Sequence, residues 1–213
     1  MSVIYNTASV ITTRNLIKFG TQFLKLRTMS TQAFKIHEVV PDVIDKPPAA
    51  VLQVNYANNV KVELGNELTP TKVKDPPTVN WDADSGSFYT LCMTDPDVPS
   101  RSNPSVPAFF HWIVVNIPAG NIEKGQVIIS YIGPGPPKDS GLHRYILLLY
   151  KQPGKLSFDD ERLVPNTEAN GRTGHSVKSF ADKYKFGDPI AGNFYEASYD
   201  EYVPILHKQL GII

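Results

Sequence analysis

Three polar segments of this 213-residue chain hold the residue types that chemistry needs. They are Asp95-Pro96-Asp97-Val98-Pro99-Ser100-Arg101, then Phe109-Phe110-His111-Trp112, then Gly133-Pro134-Gly135-Pro136-Pro137 running on to Gly141-Leu142-His143-Arg144-Tyr145. Converged in one pocket, they supply one or two carboxylates, two imidazoles, a phenol and glycine-rich backbone. That inventory suits a phosphate-like anion, because imidazolium N–H, tyrosine O–H and open backbone N–H groups are all donors. Pro136 and Pro137 have no N–H, so their part is to stiffen the loop. Asp95 opposes an anion directly, which leaves two roles open. It orients a histidine and favours its charged form, or it receives the ammonium of a zwitterionic head group.

Plainer readings stand beside each residue. Asp95 and Asp97 before prolines are ordinary turn formers, Arg101 is solvated or paired with Asp97, and His111 and His143 are hydrogen-bonded residues at strand ends. Asp95 with His111 and His143 also has the composition of a two-His-one-carboxylate metal site, although no spacing rule supports it and the glycine–proline loop would go unused. Motifs for nucleotide hydrolysis, α/β-hydrolase chemistry, zinc proteolysis and dinucleotide binding are absent from the sequence. Hydrolysis by a His–Asp pair lacks a nucleophile beside it. Cys92 falls in an apolar run and reads as a packed small hydrophobe. His111, His143, His175 and His207 stand 32 residues apart, but their neighbours do not repeat, so the spacing is taken as coincidence.

The elements that must position these groups read mainly as strands. Val51 to Tyr56 alternates as a half-buried strand, and Gly65-Asn66 marks a turn after Val60 to Leu64. Thr69 to Pro77, punctuated by proline, reads as loop. Phe88 to Thr94, Trp112 to Ile117, Val127 to Ile132 and Arg144 to Tyr150 are nearly unbroken apolar runs, which predicts strands covered on both faces by two packed sheets. Helical spacing is confined to the C-terminal part, at Val177, Phe180, Ala181 and Tyr184, and then at Val203, Leu206 and Leu210. Ser198-Tyr199-Asp200-Glu201 fits a capping box for the last helix, Pro204 falls in its first turn, and Gly211 stops it.

Composition limits the partners. With 21 basic and 21 acidic residues the formal charge is zero, so no long-range field gathers nucleic acid or anionic lipid. The longest apolar run, Tyr145 to Tyr150, is far below the roughly 18 residues of a membrane span. One cysteine cannot form an intramolecular disulfide, which fits a reducing, cytoplasmic compartment. Residues 1–30 hold Arg14, Lys18, Lys25 and Arg27 and no carboxylate, with Leu16, Phe19, Phe23 and Leu26 at helical spacing. This segment is read as an extension outside the domain of residues 31–213. It is either a disordered tail, a segment upstream of a second start at Met29, or a mitochondrial presequence. Nothing resembles a coiled-coil seam, so a monomer is expected.

The three segments, together with Leu68-Thr69-Pro70-Thr71, Trp81-Asp82, Asp84-Ser85-Gly86, Tyr89-Thr90-Leu91 and Asp200-Glu201-Tyr202-Val203-Pro204, resemble the phosphatidylethanolamine-binding protein family over about Glu38 to Leu210. The resemblance implies a mainly β fold, a two-sheet antiparallel β-sandwich with short C-terminal helices, and a small anion pocket at one end. Carried over residue by residue, it implies a ligand site of Asp95, His111, Gly135, Pro136, Pro137, His143 and Tyr145, with no metal and no cofactor. It implies a non-enzymatic binder of a phosphate-bearing head group or phospholipid, with a protein kinase or protease as the alternative partner at the pocket mouth. Ser105 to Phe110 departs from the family pattern by being more apolar than in well-known animal members.

Overall fold

The computed structural model describes residues 28–213 except 107 and 175. The expected extension therefore lies outside the described residues up to residue 27, and residues 28–36 form a helix, α1. A short α2 (Val39–Asp42) follows. Nine strands come next among the described residues: β1 (Ala50–Val51), β2 (Gln53–Asn55), β3 (Asn66–Glu67), β4 (Thr78–Asn80), β5 (Phe88–Asp95), β6 (Phe109–Pro118), β7 (Gln126–Ile129), β8 (His143–Lys151) and β9 (Ala191–Ala197). Helix α3 (Val177–Lys183) precedes β9, and α4 (Val203–Gln209) ends the fold.

Seven strands make one mixed sheet in the order β1-β9-β8-β5-β6-β7, with β3 also on β9. β1 and β3 run parallel to β9, while the other pairs are antiparallel. The expected two-sheet antiparallel sandwich is corrected on this point. The second sheet is only the three-residue pair β2–β4. The chain from 52 to 79 is broken by Pro70, Pro76 and Pro77 and by two 3-10 turns, so little of it can enter a ladder.

Both faces of the large sheet are nonetheless covered, which is why its central strands read as unbroken apolar runs. Met93 of β5 and Tyr145, Leu147 and Leu149 of β8 pack with Leu52, Val54, Tyr56 and Val73. Their neighbours Cys92, Ile146, Leu148 and Tyr150 face the other way, onto Phe34, Val39, Val177 and Phe180. Burial holds the Cys92 thiol protonated by pushing its pKa upward. A small third cluster, Ile132 with Leu206 and Leu210, fastens α4 beside the strand ends.

α3 starts on a capping box between Ser176 and Ser179. The box expected at Ser198–Glu201 does not form, because the N-cap of α4 is Tyr202 and has no side-chain cap. Asp200 instead accepts from the Tyr202 and Thr71 amides, tying the helix entry to the segment across from it. Gly211 ends the helix at φ +68°. No described helix is long and apolar enough to cross a membrane.

Candidate ligand site

β5 runs antiparallel to both β6 and β8, so its C-terminal end lies beside the beginnings of both neighbours. Asp95 pairs with Phe109, and Thr94 with Phe110 and Ile146. That register brings the three polar segments together. At this end a cavity of about 210 Å3 is lined by Asp95, His111, Gly135, Pro137 and His143, with apolar walls from Val98, Phe109, Ile132, Leu206, Leu210 and Ile212. It is smaller than the roughly 300–1,000 Å3 of an ordinary small-molecule cleft, so its size suits a small group rather than a large ligand. Pro136 is buried in the loop without lining the cavity, and Tyr145 lies below it with its ring 5.1 Å from that of His111.

The two histidines are held differently. His111 directs Nδ1 at the carbonyls of Ile132 (3.2 Å) and Gly133 (3.1 Å). Carbonyls only accept, so Nδ1 carries the hydrogen. Nε2 is left without a hydrogen bond among the described residues. Burial, followed by the opposing pull of Asp95 and the repulsion of Arg172, brings the His111 pKa down to about 4. The imidazolium donor expected from the sequence is therefore neutral near pH 7 in this structure and becomes a donor at Nε2 only by taking up a proton. His143 donates from Nδ1 to Asp95 Oδ2 (2.9 Å), while Nε2 lies 2.9 Å from Ser140 Oγ. Asp95 thus orients a histidine, and its other oxygen accepts from the Asp97 amide.

Tyr145 is fully buried and its hydroxyl has no hydrogen-bond partner among the described residues. Burial first, and the Asp95 carboxylate second, push its pKa well above the usual phenol value. It is a neutral donor without a well-formed hydrogen bond, close to the Asp95 carboxylate, which is costly in a native interior. Three of the five other buried phenols, Tyr56, Tyr131 and Tyr195, are chained to one another and to the Val73 carbonyl.

Glycine in the loop has a packing reason as well as a chemical one. A Cβ at Gly133 would stand 2.8 Å from the Lys74 backbone, and one at Gly135 would meet Leu206 and His207 of α4. The loop therefore presses against two neighbours. His207 secures it by donating from Nε2 to the Gly135 carbonyl at 2.9 Å.

One reading from the sequence is corrected. Asp97 does not pair with Arg101; it takes the Arg144 guanidinium at Nε (2.9 Å) and Nη2 (2.7 Å). Arg101 reaches Glu38 and Glu196 instead. No three His, Cys, Asp or Glu side chains are grouped to hold a metal ion among the described residues. His111 Nδ1 is turned toward two carbonyls, and the two nitrogens of His143 toward a carboxylate and a hydroxyl. Sequence reasoning missed the wall residues of α4 and the tail, and it missed His207. Its clue was present: three of the four evenly spaced histidines meet at this cavity, although they arrive on β6, β8 and α4 and form no repeat. The fourth, His175, lies outside the described residues.

Fold and site together define a mainly β protein with a few short helices and a small cavity at the strand ends, apolar in its walls and polar at its base. Residues 57–196 match the model of the phosphatidylethanolamine-binding protein family, and the chain belongs to that family. It is 45% identical over 173 residues to a Drosophila melanogaster protein provisionally named odorant-binding protein A5, covering 81% of this chain and 82% of that one. It is similar to the crystal structure of carboxypeptidase Y inhibitor complexed with its cognate proteinase, at 28% identity and a TM-score of 0.71, covering 84% of this chain and 100% of the inhibitor. The phosphatidylethanolamine-binding protein of Plasmodium vivax shares the fold at 18% identity and a TM-score of 0.63, covering 80% of this chain and 98% of that one.

Proposed function

We propose that this protein is a non-enzymatic binder of a phosphate-bearing head group. The observation that carries the reading is the pair of unused polar atoms beside the cavity, the buried Tyr145 hydroxyl and the unpartnered Nε2 of His111. A phosphate oxygen supplies the acceptor that Tyr145 lacks. It also makes protonated His111 a useful second donor. The buried Arg172 guanidinium, held among the described residues by carbonyls, adds a fixed positive charge to the surroundings of His111. The apolar walls suit the glycerol and chain end of a phospholipid. A small volatile molecule, as the name of the Drosophila relative implies for that protein, would match the walls but leave both polar atoms unused.

Calorimetric titration of the full chain with phosphorylethanolamine tests the reading. One-site binding is expected, weakened about tenfold in Tyr145→Phe and in His111→Ala, in keeping with the loss of one hydrogen bond to a charged group. Affinity unchanged in both variants would remove these residues from the site.

A second reading, protease inhibition through the surface around the cavity mouth, is favoured by the likeness to a carboxypeptidase inhibitor. Titration of carboxypeptidase Y with the full chain checks it. Dose-dependent inhibition supports the reading, and full protease activity at micromolar chain contradicts it.

A further inference from the structure

A carboxylate on the wall of an anion pocket is an electrostatic contradiction, because Asp95 repels the ligand it would help to hold. Hydrogen positions around Ser140 resolve it. The Ser140 hydroxyl lies 2.7 Å from the Pro137 carbonyl, which can only accept. A hydroxyl has one hydrogen, and with that hydrogen given to Pro137 its oxygen can only accept from His143 Nε2, 2.9 Å away. On the other side of the ring, Nδ1 faces the Asp95 carboxylate at 2.9 Å and also donates. Both ring nitrogens of His143 then carry hydrogen. The Asp95–His143 pair is neutral as a unit, and the wall no longer repels an anion.

We propose that Ser140 is the positioning residue that makes this cavity tolerant of phosphate, by accepting from His143 and so keeping it doubly protonated opposite Asp95. The inference rests on the head-group reading for its binding consequence, but not for its hydrogen count. Ser140 does not line the cavity. It acts through His143, whose side chain is fully buried while that of Asp95 is 4% exposed. Other charged or titratable groups around the pair are His111 from β6, Tyr145 from β8, His207 from α4, Glu196 next to its β9 pairing partner Ala197, and the Asp97–Arg144 pair behind it. Glu196 is already engaged by Arg101 and His37, and Asp97 by Arg144. Asp95 is the carboxylate bonded to the ring of His143.

Two measurements on the full chain decide the matter. Ring nitrogen-15 spectra at pH 7 should show His143 protonated at both nitrogens in the natural protein and in Ser140→Thr, and at one nitrogen in Ser140→Ala. Phosphorylethanolamine titration should show about tenfold weaker binding in Ser140→Ala at pH 7, and recovery in Ser140→Thr. A singly protonated His143 in the natural protein, or identical spectra in the natural protein and Ser140→Ala, overturns the proposal. So does equal affinity in these two at pH 7. Absence of phosphorylethanolamine binding in the natural protein would overturn the head-group reading, and the nitrogen spectra would still decide the role of Ser140.

Discussion

Asp95 and Asp97 stand two residues apart, are both buried, and serve opposite ends. Around Asp97 every strong polar group finds a partner. Its carboxylate takes the Arg144 amide, Nε and Nη2, and the remaining Arg144 nitrogen reaches the His37 and Glu38 carbonyls and Asp42. That cluster locks the N-terminal helices to the start of β8. Around Asp95 the accounting is incomplete, since the Tyr145 hydroxyl and His111 Nε2 are both unused. The satisfied cluster reads as structural, and the spare donor and acceptor beside Asp95 are the atoms the proposed ligand would use.

The sharpest way to break this contrast is to damage the satisfied side. Arg144→Ala leaves the buried Asp97 carboxylate with no cation opposite it, and about 3–5 kcal/mol of unfolding free energy should be lost in urea denaturation. A loss below about 1 kcal/mol would mean that the cluster is not structural.

Acid should act on the unsatisfied side. His111 has a folded pKa of about 4 against about 6.5 when unfolded. Its neutral form therefore contributes stability that is present above pH 6.5 and is lost as pH falls toward 4. The contribution is about 3 kcal/mol. In His111→Gln that part of the acid sensitivity should vanish, as read from denaturation midpoints between pH 7 and pH 4. An unchanged acid profile would show that the residue is not buried as a neutral ring.

Tyr145→Phe removes a hydroxyl that has no partner, so stability should hold or rise by up to about 1 kcal/mol, while head-group affinity falls. A destabilised variant would indicate that the hydroxyl has a structural partner after all. The smallest effect belongs to the surface, where Lys178→Ala breaks an exposed contact to Asp45 and should leave the melting temperature unchanged.

The strands were legible from sequence because both faces of the central sheet are buried, so Phe88 to Asp95 and His143 to Lys151 carry little polar interruption. Convergence at the strand ends followed from the same runs. The cover was not legible. A three-residue strand such as β4 has no periodicity to detect, and parallel pairing of β1 and β3 with β9 joins residues more than a hundred positions apart. At the site, residue types pointed to Asp95, His111, His143 and Tyr145. Their protonation did not follow from type, because it depends on which carbonyl or hydroxyl each nitrogen meets. Arg172 and Ser140 were invisible for the same reason.

The most direct test of the central claim is the pH dependence of phosphorylethanolamine binding to the full chain, measured by calorimetry from about pH 5 to 8. Protonation of His111 accompanies binding in this account, so affinity should fall steadily as pH rises, by up to about tenfold per unit, with proton uptake visible in buffers of different ionisation enthalpy. Absence of binding, or affinity indifferent to pH with no proton uptake, would contradict a phosphate site built on the unused nitrogen of His111.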